Sequence, residues 1–195
     1  MNQPQEPKQR QKRPSIQETR NSKGHAEELV DHYWGSINYV FGLIKASELK
    51  AGLILSFYGI LFSFVYQNVG LVVSEASTYP FFYVLLGLWG FTTVGSIFFS
   101  IRCFMPRIES RFNKNIFFFK DVISKYGSIE EFSKTFYRIS LDEEQLFDQL
   151  GQQVFINSKI ASLKFKNVNR SILLLALGLL LLFITAFAHA IIVLG

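Results

Sequence analysis

The chain has 195 residues, a formal net charge of +5 and an isoelectric point near 9.3, which is enough for one domain or a small membrane unit. Its single cysteine excludes an intrachain disulfide, and Cys103, His25, His32 and His189 are too scattered to form a metal site. A basic balance points to nucleic acid or to membrane topology, and the distribution of apolar and charged residues decides for the membrane, with no nucleic-acid partner.

In chain order, residues 1–23 carry Pro4, Pro7, Pro14 and many Gln, Lys and Arg. They lack an apolar core of the secretory-signal type and read as a disordered basic tail, available to anionic lipid heads or simply solvated. From His25 to Lys50 the apolar positions Leu29, Val30, Tyr33, Trp34, Ile37, Val40, Phe41 and Ile44 recur at spacings of three and four, one face of a helix. Nothing breaks this helix before the first apolar block, Ala51–Val73, so one continuous helix is expected to run into a membrane. Two more blocks follow, Phe81–Ile101 and Ser171–Leu194. None of the three contains Lys, Arg, Asp or Glu, and each is long enough to cross about 30 Å of hydrocarbon.

Between the second and third blocks, residues 102–170 read as helical. Pro106 marks a bend, and Ile108–Tyr126 reads as a helix stopped by Gly127. Ser128 with Glu131, and Ser140 with Glu143, each fit a capping box. The first opens a short helix over Ile129–Tyr137. The second opens a long one from Leu141 that leads into the third block. The fold class is therefore an all-α membrane protein with three transmembrane helices. Its helical cytoplasmic part is built from extensions of the first and third helices and from the central loop. Residues 24–195 form a single unit.

Orientation follows from charge. All 20 Lys and Arg residues lie before the first block or between Arg102 and Arg170, and positive loops stay in the cytoplasm. That places the amino terminus and central loop inside, and the hairpin Gln67–Pro80 and carboxy terminus outside. No catalytic constellation and no phosphate-binding glycine loop is present, so neither an enzyme nor a cofactor is expected.

Three strings stand out: Ala46-Ser47-Glu48-Leu49-Lys50-Ala51, the aromatic run Asn115-Ile116-Phe117-Phe118-Phe119-Lys120-Asp121, and Asn157-Ser158-Lys159-Ile160-Ala161 followed by Lys164-Phe165-Lys166. In this order, relative to three membrane blocks, they resemble the membrane effector family of the Pycsar antiphage systems, over roughly residues 27 to 190. Glu48 stands where that family more often has Asp, and Phe165 where Tyr is common. The resemblance implies a membrane effector activated by cyclic CMP or cyclic UMP from a partner cyclase. Such an effector impairs the inner membrane to abort infection. A cyclic nucleotide presents one phosphate, which Lys pairs, and a flat base, which Asn can hydrogen-bond and Phe can stack. Lys50, Asn115, Phe118, Lys120, Lys159 and Lys164 supply those groups. The plain alternative is that the lysines anchor helices at the membrane edge and the aromatics pack.

With no charge inside any block to line a channel, activity is expected to need a homo-oligomer, with Gly87, Gly90 and Gly95 allowing close helix approach. Two other readings stay open: a membrane-anchored helical scaffold without ligand response, and a constitutive pore former of the holin kind.

Overall fold

The computed structural model describes residues 16–70, 73, 79–105 and 114–194. Among them the chain is helical, without strands, and three helices are long and apolar enough to cross a membrane. These are α1 (Ile16–Gln67), α2 (Phe81–Phe104) and α5 (Glu143–Leu194). Two short helices, α3 (Phe119–Ser124) and α4 (Ile129–Leu141), lie between α2 and α5.

α1 and α5 each hold 52 residues, about 78 Å at 1.5 Å per residue. That is more than twice a membrane's apolar thickness, so both extend well beyond it on the charged side. The buried positions of α1 are Ile37, Val40, Ile44, Ser47, Ala51, Ile54 and Tyr58. Their spacing of three and four draws a single stripe through the charged half and the apolar half, which is why the helix does not break at the threshold. The backbone is helical from Ile16; residues 1–15, most of the expected tail of residues 1–23, lie outside the described residues. α1 ends at Gln67, short of Val73. There Asn68 turns back, its backbone N–H donating to Val65 O at 3.2 Å and its Nδ2 to Phe64 O at 2.9 Å.

α1 and α5 run parallel: Tyr33 stacks on Phe147, and seventeen residues along α1, taken as about 26 Å, Lys50 lies over Phe165. α2 runs antiparallel to both, with Cys103 beside Ser47 at one end and Trp89 against Phe62 at the other. Small residues let α2 and α5 touch. A Cβ at Gly178 would sit 3.1 Å from Thr92 Oγ1, and one at Gly95 would sit 3.0 Å from Leu174 Cδ1. Gly87 and Gly90 face open space. Of the three glycines expected to permit close approach, only Gly95 does so within the chain.

Two local expectations for the central loop are corrected. Ile108–Tyr126 is not one helix. Residues 106–113, including the Pro106 bend, lie outside the described residues, but Lys114–Phe118 is non-helical and only Phe119–Ser124 is coiled. The cause is Asn115. Its Oδ1 accepts from the N–H groups of Phe117 and Phe118 at 2.8 and 3.1 Å, a local turn that competes with helical hydrogen bonding. Ser140 does not open α5 either. It lies inside α4, its hydroxyl donating to Phe136 O at 2.8 Å. The cap is Asp142, whose Oδ1 accepts from Gln145 N at 3.0 Å. The Ser128 signal does cap α4, accepting from Glu131 N at 3.2 Å. The Glu131 carboxylate bonds Gly127 N–H at 2.9 Å and Lys114 Nζ at 2.6 Å. The Lys114 hydrogen bond, seconded by that of Gly127, holds the carboxyl below the usual range.

Candidate functional site

Where the three long helices leave the apolar zone, their first basic residues lie back over aromatic rings. Lys50 sits 5.8 Å from the Phe165 centroid, Arg102 5.9 Å from Phe98 and Arg170 5.4 Å from Phe99. Long cationic side chains at a membrane edge keep the charge toward water while the stem covers apolar surface. These three contacts mark the threshold.

Lys164 is different. It is 3% exposed, inside the bundle at that threshold. Its Nζ donates to Glu48 Oε1 on α1 at 2.7 Å and to the Cys103 backbone O at the end of α2 at 2.7 Å. One ammonium therefore ties all three long helices together. Around it, Cys103 Sγ donates to Ser47 O at 3.6 Å and Asn167 Nδ2 to Arg102 O at 3.4 Å. Breaking a buried ion pair by removing one partner costs about 3–5 kcal/mol. Glu48 is 38% exposed at its side chain, so water screens its side and the cost here falls below that range.

A second polar cluster holds the α3 segment against α5. Asn115 is fully buried; its Nδ2 donates to Gln149 O at 2.8 Å and its N–H to Asp121 Oδ2 at 3.1 Å. Ile116 N–H donates to Gln149 Oε1 at 3.0 Å. Phe118 is buried beneath this turn, and Phe117 meets Trp34 of α1 and Phe136 of α4 edge-on. Through these contacts the turn touches α1, α4 and α5.

The six candidate ligand residues do not converge on one pocket. Lys164 and Lys50 are at the threshold. Asn115 and Phe118 are at the turn, which meets α5 at Gln149, about 22 Å along that helix from Lys164. Both ends of the Asn115 amide are occupied within the chain, which suits a turn-former better than a reader of a base. Lys120 and Lys159 are exposed. A groove of about 670 Å³ along Glu28, Asp31, His32, Gly35, Ser36, Tyr39 and Val40 includes none of the six, and its two carboxylates repel a phosphate. No group of His, Cys, Asp and Glu among the described residues is placed to hold a metal.

Sequence reasoning did not single out Glu48, Asp121 and Gln149 as partners. Glu48 carried a signal, as an acid beside a membrane block, but its partner lies 116 residues away.

Comparison with known proteins adds to this geometry. The Pycsar effector protein domain matches residues 32–192. A Pycsar effector protein of Propioniciclava tarda, PtPycTM, is 29% identical over 160 residues, covering 78% of this chain and 76% of that protein. No solved structure matches the chain.

Proposed function

The chain belongs to the Pycsar effector family, and from that premise we propose that it is switched by cyclic CMP or cyclic UMP made by a partner cyclase during phage infection. It is a multi-pass membrane protein and a membrane effector of antiphage defence. The active state impairs the inner membrane, and the cell stops growing or dies before phage matures. The charged end faces the cytoplasm, where the nucleotide is made; the confinement of all 20 basic residues to that side supports this orientation. The chain acts by changing shape and assembling with further copies, not as an enzyme.

The observation that carries this reading is the buried Lys164 ammonium, shared between Glu48 and Cys103 O at the root of two continuous helices. A ligand shifts a conformational equilibrium only through different affinities for the two states. In the closed bundle Lys164 is buried and satisfied, so a phosphate has no access to it. When α1 and α5 part, Lys164 and nearby Lys50 become available to the phosphate, and Glu48 passes to water. The nucleotide thus binds the open state preferentially. Because both helices continue through the membrane, the membrane segments follow.

The test uses the full chain in bacterial cells, with and without a cognate cyclase, and reads membrane potential. The wild type depolarises only with the cyclase. Lys50→Ala and Lys164→Ala insert normally but lose nucleotide dependence, while Glu48→Gln, with a weakened latch, responds at lower nucleotide levels. If both lysine variants respond at wild-type nucleotide levels, the lysines are anchors and the latch has no role in sensing.

A further inference from the structure

The inward face of α2 is polar where its outward face is hydrocarbon. Its buried residues below Phe82 are Thr93, Ser96, Ser100 and Cys103, spaced three and four apart along one side. Ser171 of α5 meets them. Its hydroxyl lies 2.6 Å from Ser100 Oγ and 3.0 Å from Ser96 Oγ and donates to Ser96 O at 2.8 Å, and Ser96 Oγ donates to Ser171 O at 2.9 Å. This seam runs inward to Cys103, Ser47 and the Lys164–Glu48 pair. Toward the other end lie two hydroxyls with no hydrogen-bond partner among the described residues, Thr93 Oγ1 and Tyr58 OH, in side chains that are 3% and 2% exposed. Tyr58 packs in the same cluster as Cys103 and Ile97. Beyond Thr93, after the edge contact of Phe62 and Trp89, a mostly apolar cavity of about 270 Å³ opens, walled by Phe82, Leu86 and Leu182 with Asn68, Thr185 and His189 as its polar members.

Serine seams hold membrane helices together, which accounts for Ser96, Ser100 and Ser171. It does not account for Thr93 and Tyr58. An unpaired hydroxyl buried away from water is destabilising, and a fold that needed only adhesion would place apolar groups there. Thr93 Oγ1 on the seam face and Tyr58 OH in the adjoining cluster are two buried hydroxyls whose hydrogen bonding water would complete.

We propose that the active state conducts along this face: ions and water pass between α2 and α5, lined by Thr93, Ser96, Ser100 and Ser171, with the Lys164–Glu48 pair at the charged mouth and the Phe62–Trp89 contact as the closed barrier. This rests on the reading that the effector permeabilises the membrane, and it names the route. Selective pores use rings of one charge or of carbonyls. Here the seam itself is lined by hydroxyls, while Lys50, Arg102 and Arg170 at the same threshold outweigh the balanced Lys164–Glu48 pair, so the leak carries small ions of both signs with a bias toward anions.

The test uses the full chain in liposomes, with cyclic CMP and cyclic UMP each added in turn. Cys103→Ser removes the only thiol, and Thr93, Ser96 or Ser100 is then replaced singly by Cys. Expected is that a water-soluble charged thiol reagent leaves the resting protein unmodified, reacts after nucleotide is added, and abolishes the leak. Leu173→Cys, exposed on the outer side of α5, serves as control and does not change the leak. Ser100→Asp, which draws water into the seam, leaks without nucleotide, and reagent at Ser96→Cys on that background blocks it. If nucleotide opens the membrane while all three seam cysteines stay unmodified and the leak persists, the path is overturned and nucleotide activation stands. If the wild type ignores both nucleotides while Ser100→Asp leaks and is blocked, nucleotide activation is overturned and the path stands. A tight Ser100→Asp and a silent wild type overturn both.

Discussion

Lys164 and Asn115 were both candidates for ligand contact, and both turn out to be occupied by the chain itself. The consequences differ. Lys164→Met keeps the apolar stem and deletes the ammonium, leaving Cys103 O without its donor. The structure predicts a loss of about 1–3 kcal/mol, the range for an unsatisfied buried group, read as a lower midpoint in thermal unfolding of the detergent-solubilised protein. Lys50→Ala removes only a cation–aromatic contact at an exposed position, worth roughly 0.5–1 kcal/mol, and shifts the same midpoint much less. An equal effect for the two would mean that the Glu48–Lys164 contact contributes nothing. Asn115→Ala removes the turn instead. The Phe117 and Phe118 amides lose their acceptor, so hydrogen exchange at those two residues rises while exchange in the membrane segments is unchanged. Exchange that stays at the wild-type level would show that the turn holds without its side chain.

At the scale of elements, the sequence announced some features and hid others for physical reasons. The three membrane spans were legible because length and exclusion of charge are local properties, and the run of α1 through the threshold was legible because its apolar stripe never breaks. The Ile108–Tyr126 helix was misread because aromatic residues look alike in a helix and in a packed turn; only the Asn115 side chain distinguishes them. The start of α5 was misplaced because Ser140 and Asp142 both have capping chemistry, and the nearer carboxylate took the role. The inward face of α2 was hidden for another reason: in lipid both faces of a span avoid charge, so apolar periodicity does not point inward. The signal was the spacing of Thr93, Ser96, Ser100 and Cys103, and it becomes readable once small hydroxyls are treated as contact residues. The α2–α5 contact also makes a steric prediction. At Gly95 an added Cβ meets the flexible end of Leu174, whereas at Gly178 it meets Thr92 near its backbone. Gly95→Ala is therefore tolerated, and Gly178→Leu forces α2 away from α5. The check is protease sensitivity of the reconstituted protein. Equal resistance of both variants would mean the two helices are not packed this closely.

At the scale of the molecule, one chain closes its polar seam completely, so an open path needs either a rearranged bundle or several of them side by side. The outward face of α2 favours several. Gly87 and Gly90 have no neighbour within 4 Å, and Phe91, Val94 and Phe98 beside them are exposed, on the side opposite the seam. A helix of a second copy can approach closely there, since small residues let membrane helices touch. The buried Cys103 does not report on that surface, because its thiol is enclosed by its own chain. A cysteine at Val94 in a Cys103→Ser background does. In cells carrying the cognate cyclase, a membrane-permeant thiol crosslinker should join copies through Val94→Cys when the membrane depolarises and far less before. Gly90→Leu should abolish both the crosslink and the depolarisation while leaving the protein inserted. Cells that depolarise fully with this chain uncrosslinked, and with Gly90→Leu still active, would place the contact between copies elsewhere or show that a single chain opens alone.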